Sequence, residues 1–181
     1  MNIFCLDATP GQAAIYHCNK HVVKQILESC QLLSTAHRIL DGTEELAKSK
    51  TGRNKKIWRL NDFDDLYYSA THVNHPSAIW CRQSDQNYLW LQELTVALCK
   101  EYTYRYGKIH KCEATRLVYE LARLPKKIPI GRFTQPTPAM PDEYKVVGDS
   151  VQSYRNYYNG SKSRMFAWKN RPTPSWINDA Q

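Results

Sequence analysis

The chain reads as mainly α: one domain, a helical bundle with irregular connectors and an extended, proline-rich carboxyl-terminal arm that packs back on the core. Three observations predict this. Apolar residues recur at threes and fours, as in Val22, Val23, Ile26, Leu27, Cys30, Leu33 and Leu40, the period of a helix that buries one face. Helix-stopping residues follow such stretches at Asp41-Gly42, Gly107 and Pro125. Prolines 125, 129, 136, 138 and 141 then predict an irregular, extended connector. A length of 181 residues suits a single core. The predicted division is a helical core over about 10–124, a connector over 125–141, and a helix with an arm over 142–181.

Taken in order, Ile3-Phe4-Cys5-Leu6 is a short strand or packing segment. A first helix is expected from Pro10, tolerated in a first turn, through Leu40, with a bend near Cys18-Asn19. Residues 41–65 read as an irregular excursion holding a short helix at Glu44 to Lys48, and Leu66 to Ala70 fits strand or helix. Pro76 biases His75 away from helix, and Ala78 to Arg82 form a helical turn. Ser84 caps a helix reaching about Tyr104, with Tyr88, Leu91, Leu94, Leu98 and Tyr102 on one face. A third helix spans Cys112 to Leu124 and a last one about Pro141 to Tyr158, capped by Gly160. Phe166, Trp168 and Trp176 are too many large apolar groups for a free tail, so the arm should pack inward.

Hydrophobic residues make up 42% with no run long enough to span a membrane. No basic-then-apolar leader opens the chain. Six cysteines without a Cys-x-x-Cys pair read as reduced thiols in a cytoplasm. The net charge of +8 calls for a polyanionic partner, DNA or a nucleotide. Residues 100–133 hold nine Lys or Arg against three Glu. Tyrosines lie among these cations, a combination that stacks on bases while neutralising phosphates.

The first candidate constellation is a polar stripe on helix one: His17, His21, Lys24, Glu28, Gln31 and Thr35. It is either a solvated face or the wall of an active site with Glu28 as acid/base, assisted by His21, Lys24 and His17. A zinc ion on His17 and His21 is a weaker option, since the metalloprotease glutamate between them is missing. His37 falls on the apolar side and is expected to be a hydrogen-bonded structural histidine. The second constellation is the loop Asn74-His75-Pro76 leading to Trp80, Arg82 and Gln83. Arg82 could grip phosphate, Asn74 or Gln83 a base edge, and Trp80 a flipped base; the alternative is a turn with a core tryptophan. The third is Tyr102 to Lys111, where Arg105, Lys108 and Lys111 suit phosphate and Tyr104 suits stacking. Arg155 stands in a fourth, looser cluster with Tyr157 and Tyr158. Phosphate-loop, dinucleotide, nucleophile-elbow and zinc-finger spacings do not occur.

The stretches DATPGQAAIYHCNKHVVKQILESCQLLSTAHRIL, NHPSAIWCRQSDQNYLWLQELTVALCKEYTYRYGKIHK and PAMPDEYKVVGDSVQSYRNYYNGSKSRMFAWKNRP resemble a family of uncharacterised proteins of tailed bacteriophages. An "NHP" before an aromatic, then a helix ending in a Tyr/Gly-basic element, is weakly similar to the pyrimidine-dimer DNA glycosylases. That resemblance implies a small helical repair enzyme that cleaves a glycosidic bond with an amine and a helix-one glutamate, here Glu28. The amine would be that of Met1 or of Lys24, because Asn2 is too large for efficient methionine removal. A non-catalytic protein that binds nucleic acid, a nucleotide or a host protein is the alternative.

Overall fold

In the computed structural model, which describes residues 1–49 and 51–178, the chain is mainly α. Its long helices are α2, Asn19–Asp41, and α4, Asp85–Tyr106. They pack on one another through Ile26, Cys30 and Leu33 of α2 and Leu91, Leu94 and Leu98 of α4, all fully buried. Helix α1, Pro10–Tyr16, lies against α4, and α3, Pro76–Cys81, lies against α2. The expected first helix is therefore two. His17 and Cys18 are extended, with ψ of 131° and 160°, and the Asn19 N–H is taken by the Ala167 carbonyl at 2.9 Å.

Burial on α2 also differs from the simple apolar stripe. Val23 and Leu27 are 40% and 38% exposed, while His21, Gln25, Ser29, Ser34 and Thr35 are buried. Neighbours grip the arc beside the one that hydropathy selects, and small polar side chains let them approach, although Ser34 Oγ is buried without a partner. Thr35 Oγ1, for instance, donates to the Gln31 carbonyl at 2.7 Å.

Residues 43–59 form a hairpin rather than a helix at Glu44 to Lys48. Strand β1, Thr43–Lys48, pairs antiparallel with β2, Asn54–Arg59, from Thr43 opposite Arg59 to Lys48 opposite Asn54. Tertiary contact overrides local preference here. Buried Arg38 donates to the carbonyls of Trp58, Asp64, Tyr67 and Tyr68 and to the Asp64 carboxylate, each at 2.6–2.7 Å. The chain must leave the helix closely, and a Cβ at Gly42 would collide with the Arg38 carbonyl. Asp64 is held down to about 2 by the Leu60 N–H and by Arg38.

The expected helix over 112–124 is two single turns, α5, Lys111–Ala114, and α6, Leu117–Glu120, divided where Arg116 takes a left-handed φ of 65°. The last helix, α7, starts at Ser150 and runs through Gly160 to Ser161. It begins late because a 3₁₀ turn at Asp142–Tyr144 and Gly148, at φ 76°, occupy the preceding stretch. Asp149 caps it through the Gln152 N–H at 2.9 Å. The 125–141 segment hydrogen-bonds to the start of α4, with Thr134 N–H donating to Asn87 Oδ1 at 2.8 Å and Asp85 N–H to the Pro129 carbonyl at 2.9 Å. Phe166, Trp168 and Trp176 pack against the core. All six cysteines are buried free thiols. Among the described residues no helix is long and apolar enough to cross a membrane.

Candidate active site

The loop before α3 is fastened to α2. Thr71 N–H donates to Thr35 Oγ1 at 3.2 Å, and His75 N–H donates to the His72 carbonyl at 2.8 Å. His72 takes a left-handed φ of 48°, a conformation disfavoured for a side chain of this size, and its Nδ1 pairs with Thr71 Oγ1 at 2.7 Å. Thr35 lies two helical turns from Glu28 on the same face. The loop is thus held over the stripe that carries Glu28.

His75 caps α3, its Nδ1 accepting the Ser77 N–H at 3.1 Å. That fixes the tautomer: in the neutral ring the proton sits on Nε2, a free donor. Burial lowers the His75 pKa, the Met1 amine and His72 lower it further, and Glu28 opposes them. Glu28 sits low, its side chain 13% exposed against 64% for Lys24, which pairs with it at 3.1 Å. Gln25 Nε2 donates to the other carboxylate oxygen at 2.9 Å. These contacts aim the carboxylate without closing it off.

His17 and His21 are placed differently from the expected stripe. His17 is fully buried, and its Nδ1–H donates to the Ala13 carbonyl at 2.6 Å. Its Nε2 has no partner. His21 is 5% exposed, hydrogen-bonded to the Tyr158 hydroxyl at 2.5 Å and covered by the Phe4 ring at 4.4 Å. Burial pushes His17 down to about 4 and His21 to about 3. Neutral and covered, they line the core behind the site. Their rings stand 6.4 Å apart, and among the described residues no third His, Cys, Asp or Glu joins them to hold a metal ion. His37 is the structural histidine its phase predicts, sharing Nε2 between the Tyr88 hydroxyl at 2.9 Å and the Arg123 carbonyl at 3.1 Å.

These histidines make stability pH-dependent. His17, His21 and His37 are depressed from 6.5 to about 4, 3 and 4 in the folded state. Unfolding restores proton uptake, so their contribution is complete above about pH 6.5 and declines as pH falls toward 4. The expected slope is about 1.4 kcal/mol per pH unit for each histidine. Denaturant unfolding at pH 7.5, 6 and 5 should show uptake approaching three protons; a flat stability from pH 7 to 5 would contradict the buried neutral state.

The proposed phosphate contacts divide sharply. Arg105 is fully buried, donating to the Ile15 and His17 carbonyls, Asn19 Oδ1 and Glu101 at 2.8–3.2 Å. The access a phosphate needs is missing. Arg155 donates to the Leu6 carbonyl at 2.9 Å and Asp7 at 3.3 Å while lying over Tyr16 and Trp176. Trp80 is 1% exposed, its Nε1–H on the Thr134 carbonyl, and cannot stack on a base without unfolding its surroundings. Arg82 is the contrast: it is half-buried, burial lowers its pKa, and its Nη1 is enclosed without a hydrogen-bond partner.

No known family, curated protein or solved structure matches this chain. The site therefore has to be read from its own groups. Asn74, Gln83, Lys108 and Lys111 are exposed, as is Tyr104, over which Arg171 stacks at 4.2 Å. Val23, Tyr102, Tyr106, Lys108 and Lys169 line an open groove of about 450 Å³. Lys169 lies over the Tyr106 ring at 5.5 Å, and Tyr102 and Tyr106 stand 5.1 Å apart. The groove shares α2 with Glu28 through Val23. His72 and Gln25 were not singled out by sequence; the paired histidines of His72-x-x-His75-Pro76 were the available signal for the first.

Proposed function

We propose that this protein acts on DNA and breaks the base–sugar bond of a pyrimidine nucleotide at Glu28. The observation that carries the reading is the His72–His75 loop, fastened to α2 at Thr35, two helical turns from the half-sheltered Glu28 carboxylate on the same face. A carboxylate of this kind stabilises an oxocarbenium-like sugar and accepts a proton from attacking water. The C1′–N1 bond breaks as the water oxygen bonds to C1′ and its proton passes to Glu28; the base leaves as its N1 anion, hydrogen-bonded at O2 by the neutral His75 Nε2–H, and takes its proton from solvent. Half-buried Arg82, through the exposed part of its guanidinium, holds a phosphate, with Lys108 and Lys111 contributing charge. The Tyr102–Tyr106 groove takes a neighbouring base by stacking. In a Schiff-base variant the Met1 amine or Lys24 replaces water at C1′.

The burial of His17 and His21 and the internal use of Arg105 favour a second reading, a non-catalytic DNA-binding protein of phage type. One screen separates the two: binding and incision at low salt on undamaged, UV-irradiated, uracil-containing and modified-pyrimidine DNA, with borohydride trapping. Base release or a trapped adduct on one substrate is expected. Binding without either leaves the binder, and absence of both removes DNA.

Arg82→Met supplies an independent check. Removing an unpaired, desolvated cation should leave thermal stability unchanged or raised. Binding should weaken, and the dependence of log K on log salt should flatten by about 0.9. An unchanged salt slope would remove Arg82 from the interface.

A further inference from the structure

We propose that the cavity at the carboxyl-terminal end of α2 is a second, separate binding site, for a free nucleoside monophosphate. The cavity measures about 360 Å³, within the range of small-ligand sites at about 300–1,000 Å³. Its floor is apolar and aromatic, with Leu60, Phe63 and Tyr67. The Phe63 and Tyr67 rings are nearly parallel, 12° apart at 5.4 Å. Phe63 holds its ring there from a left-handed backbone, φ 63°, a strained conformation for an aromatic residue. Arg123 lies over the Phe63 ring at 5.1 Å with a side chain 67% exposed, so its guanidinium can lift and close again over a planar base.

The rim carries three cations, Arg123, Lys126 and Lys127, against the carboxylates of Asp41 and Asp62. Asp41 accepts the backbone N–H groups of Lys126 and Lys127 at 2.7 and 3.0 Å. Its carboxylate thereby fixes the position of both residues while leaving their ammonium groups exposed. These two ammonium groups meet the phosphate dianion, while Arg123, paired with Glu120 at 3.3 Å, serves the base. The exposed Asn61 and Asp62, which also line the cavity, can accept from and, through the asparagine amide, donate to a base edge. His37, neutral and hydrogen-bonded, closes the inner wall. The site does not include Glu28 and does not depend on the reading of it.

Calorimetric titration of the full chain with each of the four deoxynucleoside 5′-monophosphates tests this. At least one should bind, with affinity at least tenfold weaker in Lys126→Ala/Lys127→Ala and unchanged in Glu28→Gln. Because both lysines are exposed, that double variant should keep its fold, verified by its melting curve. No binding by any of the four, binding indifferent to the lysine pair, or binding lost in Glu28→Gln would each overturn the proposal. So would displacement of the mononucleotide by a short oligothymidylate, since the site would then belong to the DNA track.

Discussion

Arg105→Ala is expected to lose about 3–5 kcal/mol of folding stability, a large part of the roughly 5–15 kcal/mol that holds a domain together. The side chain is fully enclosed and ties the end of α1, the start of α2 and α4 into one joint. Truncation strands the Ile15 and His17 carbonyls and leaves Glu101 with Arg171 as its remaining ion-pair partner. Arg105→Lys should recover only part of this, since an ammonium cannot reproduce the planar fork. Denaturant midpoints at pH 7.5 measure both. A loss below about 1 kcal/mol for the alanine variant would show that the joint is carried by packing alone.

Glu28→Gln should reduce base release by about 10²–10⁴-fold, the range that positioned acid/base groups supply, while the protein stays folded. Its contacts are with Gln25 and the exposed Lys24, and a glutamine preserves their shape. Single-turnover base release on the substrate identified by the screen measures the effect, with a thermal melt as the control. Full activity in the glutamine variant would sink Glu28 as the acting carboxylate.

Much of the frame can be read from local signals. Ser84 accepts the Asn87 N–H at 3.1 Å, and Gly107 ends α4 at φ 64°, both as cap chemistry predicts. His37 follows from helical phase. Arg38 and Arg105 are another matter. A cation in sequence looks like surface, and here each is trapped by carbonyls from segments far along the chain, Trp58 and Tyr67 for one and Ile15 for the other. The break at Arg116 is equally silent, because no glycine or proline marks that left-handed residue. For the candidate site, period and charge singled out Glu28, and the place of Asn74–Gln83 before a helix singled out the loop, but periodicity could not distinguish a buried imidazole from an exposed one at His21. Phe4, which covers it, arrives from outside the helix.

The Arg38 clamp has a consequence for how this chain can change over time. Two strands of six residues are marginal unaided; cross-strand pairs such as Lys56–Glu44 help them, and Arg38, through the Trp58 carbonyl, and Arg59, through Asp64, fasten the root. Its outer residues, Lys55 and Lys56 among them, are exposed. The loop and strand faces are free to diversify in length and charge, provided Arg38 keeps its carbonyl partners. Glu28 lies ten residues up the same helix, about 15 Å away. Variation in the hairpin can therefore accumulate without disturbing the surroundings of Glu28, making it a replaceable appendage on a constrained core.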